Sequence, residues 1–291
     1  MKKIITLLIL TSLISCNKKN DKADGYGNFE ATEVTISAEA NGNIKYLKLE
    51  EGVILEPNFQ VGLVDTTQLY FNKQQLITSK NTVFSKSSNV LSQKSVLQEQ
   101  LKTAQIEKNR IQNMFAENAA TKRQVDEIDG KVKVILEQIK SVETQNSPIV
   151  NEVKSIDVQI EKINDQIQKS KIINPIKGTV LAKYTEPNEV TAFGKPIYKI
   201  ADISEMTLRV YVSETQLSKI KVGQNVNVKI DAEKEMKSFP GTISWIASTA
   251  EFTPKIIQTK EERVNLVYAV KVKVKNDGTL KIGMPAEMWI K

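Results

Sequence analysis

Apolar residues recur every seven positions along two stretches of the chain, and the longer heptad repeat covers residues 125–167. Within it, two alternating heptad positions are apolar almost without interruption. The first position holds Val125, Val132, Ile139, Asn146, Val153, Ile160 and Ile167, and the second holds Ile128, Ile135, Val142, Ile149, Ile156 and Ile163. Because a strict period of 3.5 residues keeps one helix stripe against a partner helix, the repeat predicts a coiled coil.

The partner helix is predicted within the same chain. A second heptad series consists of Leu69, Leu76, Val83, Val90, Leu97, Ala104 and Ile111, and the adjacent Tyr70, Ile77, Phe84 and Leu91 widen its early part. Only residues 117–120 separate the two series, and a short connection favours antiparallel neighbours. The sequence therefore predicts a helical hairpin over residues 66–171, with arms of roughly 70 Å at about 1.5 Å per residue.

Several polar positions mark features within the arms. Asp65 with Gln68 is similar to a capping box at the start of the first arm, and Pro175 is expected to close the second. Pro148 predicts either a bend that keeps the register or a restart of the helix, and we expect the bend. Asn146 occupies a seam position, where a polar residue fixes the register. Counting back from the tip places both residues opposite positions 87–89.

Short β-branched segments flank the hairpin and repeat at a constant spacing. Residues 42–65 align without a gap with residues 178–201, so that Gly42-Asn43-Ile44 matches Gly178-Thr179-Val180 136 positions later. Neither half alone could bury a sheet face, so the pair predicts a small two-sheet sandwich. From residue 204 onward, alternation over 207–212, 225–230, 241–246, 264–274 and 286–290 predicts a small β-barrel, with a short helix between Ser213 and Ile220.

The N-terminus is typical of an export signal. A basic start precedes an apolar run that is too short to span a bilayer, and the run ends in Leu13-Ile14-Ser15-Cys16. This end resembles a bacterial lipobox, which implies cleavage after residue 15 and lipidation of Cys16. The alternative is an ordinary secretory signal with an incidental cysteine. Residues 16–29 are predicted to be a flexible linker, and two or three acyl chains would anchor the chain stably.

Composition excludes several kinds of chemistry. The chain has no histidine, and Cys16 is its single cysteine, so Ser-His-Asp and Cys-His catalysis and the usual zinc sites are excluded. No phosphate-binding loop is present, and nothing predicts a cofactor. The formal net charge is +7, but the basic residues are scattered among acids, which argues against nucleic-acid binding. We therefore expect a protein that is not an enzyme.

These features together resemble the HlyD-type membrane fusion proteins, the periplasmic adaptors of tripartite export systems. The run Asn174-Pro175-Ile176-Lys177-Gly178-Thr179-Val180 is similar to the start of that family's second lipoyl half, with Asn where Ala is usual. The resemblance implies an α+β fold, in which a long coiled-coil hairpin is inserted in a split lipoyl-like sandwich and a small β-barrel follows. The expected parts are a signal (1–15), linker (16–29), lipoyl halves (30–65 and 172–203), hairpin (66–171) and barrel (204–291). The strand within residues 30–37 is expected to join either the sandwich or the barrel.

The resemblance also implies two docking regions. Arg110, Met114 and Thr121 match the spacing of the Arg, Leu and Ser with which such adaptors meet outer-membrane channels, and Ala119 and Ala120 allow close approach. The alternative is structural, since Thr121 with Gln124 reads as a capping box, Met114 could pack in the seam and Arg110 could be solvated. Residues 251–263 resemble a motif of adaptors that serve ABC-type exporters, and the residues expected to face the transporter are Thr253, Pro254, Lys255, Gln258, Thr259 and Arg263.

The function implied is that of an adaptor lipoprotein for efflux or secretion of small molecules. Its expected partners are an inner-membrane permease or ATPase of ABC type, an outer-membrane channel, the membrane through its lipid, and further copies in a six-membered ring. The expected location is the periplasm of a Gram-negative bacterium, with the lipid in the inner membrane. The alternatives are an adaptor of a proton-driven RND pump, a structural coiled-coil tether, and a lipoyl carrier enzyme, which the missing modification triplet disfavours.

Overall fold

The computed structural model describes residues 22–233, 235–252 and 266–290. Two long helices, α1 (Thr67–Ala116) and α2 (Lys122–Lys169), separate two groups of strands, and a single-turn helix α3 (Glu214–Leu217) follows later. The strands are β1 (Gly25–Glu30), β2 (Glu33–Ser37), β3 (Gly42–Leu47), β4 (Ile54–Leu55), β5 (Gln60–Val64), β6 (Lys171–Ile173), β7 (Gly178–Lys183), β8 (Val190–Thr191), β9 (Pro196–Ala201), β10 (Glu205–Val212), β11 (Asn225–Ile230), β12 (Lys237–Ile246), β13 (Glu251–Phe252), β14 (Leu266–Lys275) and β15 (Pro285–Ile290).

Helices α1 and α2 form the predicted antiparallel hairpin. The buried hydrophobic residues of the hairpin all lie at predicted seam positions, and they are Val83, Ala104, Val125, Ile128, Val132, Ile135 and Ile156. Helix α2 continues through Pro148 without a break, which rules out a helix restart there. It ends at Lys169, six residues before Pro175, because residues 171–173 pair with β5 as strand β6.

The prediction that Tyr70, Phe84 and Leu91 widen the seam is wrong. Their side chains are 54%, 61% and 52% exposed. Lysines instead lie beside the apolar series on the side of α1 that faces α2. Their long aliphatic side chains reach across the seam. Their ammonium groups pair with α2 in the order Lys80–Asp157, Lys94–Glu143 and Lys108–Asp129, at 2.6, 2.8 and 2.9 Å.

The two β segments that flank the hairpin close into one sandwich, as predicted. One sheet has the order β2-β9-β7-β4 and the other β6-β5-β3-β8, so each sheet takes strands from both sides of the hairpin. The strands β3, β4 and β5 begin 136 residues before β7, β8 and β9, which is the offset read from the sequence. The core between the sheets draws on both halves and includes Ile44, Val61, Val64, Val180, Ile197 and Ile200.

Two turns in each half need a left-handed backbone, and the halves meet this need with different residues. Gly52 and Asn188 occupy one equivalent turn, with φ of 87° and 72°. Asn58 and Gly194 occupy the other, with φ of 62° and 82°. Glycine and asparagine are the residues that enter this region most readily, so the exchange preserves the shape of both halves.

The C-terminal strands form a closed barrel in the order β10-β1-β15-β11-β12-β14, with β14 pairing back to β10 and β13 added at its edge. All five strands predicted after residue 204 are present within the described residues, although β12 begins four residues earlier and α3 ends at Leu217. The sixth strand, β1, comes from the N-terminal side. Residues 25–29, predicted to be linker, therefore form a strand, because β10 and β15 satisfy its backbone on both edges.

The predicted α+β fold class is confirmed in all three of its parts. The strand expected within residues 30–37 divides between the two β units, since β1 ends at Glu30 in the barrel and β2 begins at Glu33 in the sandwich. Only residues 31–32 connect them on that side, and residues 202–204 connect β9 to β10 on the other. The sandwich and the barrel are therefore joined by two short, separate segments.

Candidate docking sites at the hairpin tip and the barrel

A tight turn at the hairpin tip reverses the chain between α1 and α2. The amide of Ala119 donates to the carbonyl of Met114 at 2.7 Å, and the amide of Asn118 donates to that of Phe115 at 3.0 Å. Asn118 lies between these bonds with φ of 58°, so the turn is a Schellman motif with asparagine at the left-handed position. The motif satisfies the carbonyls at the end of α1 and holds the tip in one conformation.

A capping box begins the second arm. The Gln124 amide donates to the Thr121 hydroxyl at 3.3 Å, and the Thr121 amide donates to Gln124 Oε1 at 2.7 Å. The structural alternative for Thr121 is therefore confirmed, because Thr121 is the N-cap residue of α2. Thr121 is nevertheless exposed at the tip, so capping leaves its outer side open to a partner.

The structure brings the other predicted tip residues to one end of the hairpin. Met114 lies outside the seam, and it and Phe115 are 40% and 42% exposed. Arg110 is exposed and pairs with Glu107 of its own helix at 2.8 Å. Ala119 is exposed and Ala120 half-buried. The tip thus presents apolar surface beside an exposed guanidinium that pairs with a neighbouring carboxylate.

An open groove of about 930 Å³ starts beside Arg110 and follows the hairpin away from the tip. The apolar part of its lining comes from both helices and consists of Val96, Ala104, Ile106, Ile128 and Ile135. Glu99, Glu107, Arg110 and Lys131 add charges of both signs. An apolar groove with charged edges along a coiled coil has the character needed to accept another amphipathic helix.

A polar contact between the two arms lies midway along the hairpin. The Ser87 hydroxyl donates to Asn146 Oδ1 at 2.7 Å, so the residue predicted to face positions 87–89 does so. Ser87 is buried and Asn146 is half-buried, and a polar pair at the seam favours one alignment of the arms.

The hairpin is rooted directly in the sandwich at Asp65 and Ser170. Asp65 accepts from the Thr67 amide at 2.8 Å and pairs with Lys45 at 2.9 Å, and the predicted contact with Gln68 is absent from the hydrogen bonds of this described region. Hydrogen bonds from Thr67 and the Lys45 ammonium lower the pKa of Asp65 to about 2. Ser170 is buried, and its carbonyl accepts from the Val64 amide at 2.8 Å.

The second predicted docking region falls largely outside the described residues. Thr253, Pro254, Lys255, Gln258, Thr259 and Arg263 lie there, as does Cys16. Strand β13, which directly precedes this region, is tied to the barrel wall, because its Glu251 binds Arg209 of β10 through both carboxylate oxygens, at 3.0 and 3.2 Å.

Within the ranges that the structure describes, no cluster of His, Cys, Asp and Glu side chains could hold a metal ion. A search of the same ranges finds no helix with the length and apolar character needed to cross a membrane.

Sequence reasoning missed two structural features of these sites. One is the set of lysines on α1 that pair with acidic residues of α2, Lys80, Lys94 and Lys108, which we call the lysine ladder. The sequence interpretation expected only apolar residues at the seam and therefore missed it, although these lysines repeat in heptad phase. The left-handed turn residue Asn118 carries a usable signal, since asparagine between a helix end and a capping threonine favours this conformation.

Comparison with known proteins places the chain among proteins of related sequence. Residues 206–290 match the family model of the YknX-like beta-barrel domain. The chain is 32% identical over 126 residues to a UPF0194 membrane protein of the asrC 5' region in Acidithiobacillus ferridurans, covering 43% of this chain and 37% of the relative. It is 32% identical over 120 residues to the UPF0194 membrane protein YbhG of Salmonella gallinarum, covering 41% and 36%. The chain thus matches just over a third of the length of these relatives.

Solved structures extend the likeness to the whole fold. MacA from Actinobacillus actinomycetemcomitans superimposes with a TM-score of 0.55 at 18% identity, over 93% of this chain and 79% of that one. The membrane fusion protein Spr0693 from Streptococcus pneumoniae R6 gives a TM-score of 0.57 at 13% identity, over 91% and 99%. At such identities the likeness concerns the fold, and it confirms the predicted resemblance to membrane fusion proteins.

Proposed function

We propose that this chain is a periplasmic adaptor that connects an inner-membrane exporter to an outer-membrane channel for efflux or secretion of small molecules. The observation that carries the proposal is a long two-helix hairpin that joins a split sandwich at Asp65 and Ser170 and ends in an exposed apolar tip. Arms of 50 and 48 residues span roughly 70–75 Å, so the hairpin can bridge a wide gap.

The tip is the proposed contact with the channel. Arg110 can form paired hydrogen bonds with carbonyls or carboxylates at a channel mouth, and Met114 supplies an adaptable apolar contact. Ala119 and Ala120 allow close approach, while Thr121 combines its capping role with an exposed outer side. The groove that begins at Arg110 would accept a helix of the channel or of a neighbouring hairpin.

The barrel is proposed to face the exporter at the inner membrane. Cys16, if lipidated, lies nine residues before β1, and nine residues span at most roughly 30 Å. The anchor would therefore hold the barrel within that distance of the membrane surface. The loop residues Thr253, Pro254, Lys255, Gln258, Thr259 and Arg263 are the proposed contact with an ABC-type permease, and the rival partner is an RND pump.

A ring of six copies is the proposed assembly. Support comes from exposed apolar residues at equivalent turns of the two sandwich halves. Val190 and Phe193 are 71% and 76% exposed on one side, and Ile54 and Phe59 are 65% and 50% exposed on the other. One turn of a copy contacting the opposite turn of the next copy would cover both surfaces and, with a suitable rotation, close a ring.

The proposed mechanism is mechanical. A change in the exporter would move the barrel, and the two short connections at residues 31–32 and 202–204 would pass the movement to the sandwich. Asn276 holds the second connection to the barrel by bonding the carbonyls of Ile203 and Ser204 at 2.8 and 2.9 Å. Because Asp65 and Ser170 join the sandwich directly to the helices, the hairpin would follow and open or seal the channel.

Replacing Arg110 by aspartate tests the docking role. Arg110→Asp should abolish export, because it reverses the charge at the tip, while the helix loses only a few tenths of a kcal/mol. Export is measured by susceptibility to a panel of toxic compounds, comparing a deletion strain complemented with each variant. Lys140→Asp, an equal charge reversal on the exposed side of α2, should export normally. Unchanged efflux with Arg110→Asp would refute the assignment.

A further inference from the structure

The outer face of the barrel carries a cleft of about 360 Å³ that the proposed adaptor contacts leave unused. It lies across β10, β1, β15 and β11, where the pairing register aligns Tyr211, Tyr26, Glu287 and Lys229 on successive strands. In the next outward-facing row, Asn28 and Pro285 are short, so the middle of the surface is depressed between larger side chains. Arg209 closes one end, and Asp231 and Met236 close the other.

The charges in this cleft are not balanced. Its lining includes the carboxylates of Glu30, Asp231 and Glu287, and none of the three forms an ion pair within the described ranges. Two cations of the lining stand against these three carboxylates. Arg209 binds Glu251, which lies outside the lining, and the Lys229 ammonium keeps its charge at 4.0 Å from the centre of the neutral Trp289 ring, so the lining remains net negative. A surplus of negative charge is unusual on a chain whose formal net charge is +7.

We infer that this cleft binds a small amphipathic organic cation. The three carboxylates, of which Glu287 also accepts a hydrogen bond from Trp289 Nε1 at 3.0 Å, attract the positive group. The ring of Tyr26, which is 54% exposed, offers a face for a cation–π contact. A volume of about 360 Å³ falls in the range of sites for small organic molecules. An organic anion is the competing ligand, because Arg209 Nε is buried with no hydrogen-bond partner in the described structure.

The inference goes beyond the proposed function, because binding of a cation in this cleft does not depend on the adaptor role. Binding itself is a property of the isolated chain. A purified protein that binds the cation but does not support export would leave this inference standing and remove the adaptor role. The reverse result would remove only the cleft.

Two ions of nearly equal size and apolar surface but opposite charge make the test sharp. Tetraphenylphosphonium and tetraphenylborate are titrated by calorimetry into the mature chain carrying Cys16→Ser, which needs no detergent. We expect the cation to bind at least tenfold more tightly than the anion. Glu287→Gln and Tyr26→Ala, both changes of exposed or half-buried side chains, should each weaken cation binding about three- to tenfold. Glu205→Gln, a barrel carboxylate outside the cleft that pairs with Lys273, should leave it unchanged.

The inference is overturned by any of three results. These are no binding of the cation up to millimolar concentration, equal or tighter binding of the anion, and cation binding that survives both Glu287→Gln and Tyr26→Ala. Circular dichroism of each variant verifies that the barrel remains folded. Asp231→Asn, at the far end of the cleft, provides an independent variant if either of the first two fails to fold.

Discussion

At the scale of single residues, Asn174 joins the two halves of the sandwich. It is fully buried, its amide nitrogen donates to the carbonyls of Glu56 and Ile176, and its Oδ1 accepts from the Tyr198 hydroxyl at 3.0 Å. Burial raises the pKa of Tyr198, so the phenol remains a donor at neutral pH. The residue that departs from the family pattern thus has a structural role that an alanine could not fill.

A double-mutant cycle tests this pair. Tyr198→Phe should cost about 1–2 kcal/mol of unfolding free energy, because it leaves Asn174 Oδ1 without its donor. Asn174→Ala should cost about 2–4 kcal/mol, because it also leaves two buried carbonyls unpaired. In urea unfolding, the double variant should lose about 1 kcal/mol less than the two losses combined, while Tyr184→Phe at an exposed site stays within about 0.5 kcal/mol. Strict additivity would contradict the direct bond.

We predict that the stabilisation provided by Asp65 at the start of the hairpin is lost in acid. Its pKa is about 2 in the folded chain against an ordinary value of 3.8, so the unfolded state binds more protons between these values. The stabilisation is complete above about pH 4 and is lost as the pH falls towards 2. Asp65→Asn keeps an acceptor for the Thr67 amide but removes the charge. The melting temperature of the native chain should exceed that of Asp65→Asn at pH 7, and the gap should close between pH 4 and 2. A gap independent of pH would show that the carboxylate charge is irrelevant.

At the scale of elements, the lysine ladder specifies the register of the hairpin. Acidic partners occur only every fourteen residues on α2, at Asp129, Glu143 and Asp157. A slip of one heptad would therefore place the lysines opposite Leu136, Val150 and Asn164, and none of the three ion pairs would form. Each exposed pair contributes only about 0.2–1 kcal/mol, so the ladder acts mainly by making the shifted alignment worse.

Exchanging the charges of one ion pair, Lys94 and Glu143, tests the lysine ladder. Lys94→Glu alone sets two carboxylates against each other and should lower hairpin stability by about 1 kcal/mol. Combining it with Glu143→Lys should restore most of that loss, as judged by thermal unfolding followed at 222 nm. Lys86→Glu, which reverses a charge at an exposed position of α1 with no acidic residue three or four positions away, serves as the control. No recovery in the exchanged pair would mean that the residues do not face each other.

Elements whose own sequence sets their periodicity were predictable, and those that depend on distant partners were not. The heptad repeat predicted the hairpin, and the repeat at an offset of 136 residues predicted the sandwich, because each pattern recurs within the chain. Strand β1 was missed because Gly25-Tyr26-Gly27-Asn28 has the composition of a linker. Its strand conformation comes from β10 and β15, which lie far away in sequence. The exposure of Tyr70 and Phe84 likewise depends on the side of α1 that α2 occupies.

At the scale of the whole molecule, the fold separates the two proposed docking regions by the length of the hairpin. The tip and the barrel are connected through short segments and paired strands, with β1 fixing the N-terminal side to the barrel. Each part could be matched by a simple tether or a binding module. The combination of a rooted rod and a closed barrel is what favours an adaptor that meets two different membrane proteins at once.

The most direct measurement is a double cross-link from one chain. Cys16 is the only native cysteine, so Ala119→Cys and Thr259→Cys would be the only free thiols of a lipidated chain, and Gln138→Cys on an exposed side of α2 controls for random capture. After each thiol is labelled in living cells with a maleimide that carries a photoactivatable benzophenone, and the cells are illuminated, we predict a ternary product in which one adaptor carries an outer-membrane channel at residue 119 and an ABC permease at residue 259. Capture of an RND pump at residue 259 would keep the adaptor role but show that the exporter is not of ABC type. Capture of peptidoglycan alone, or no capture at either position, would contradict the account.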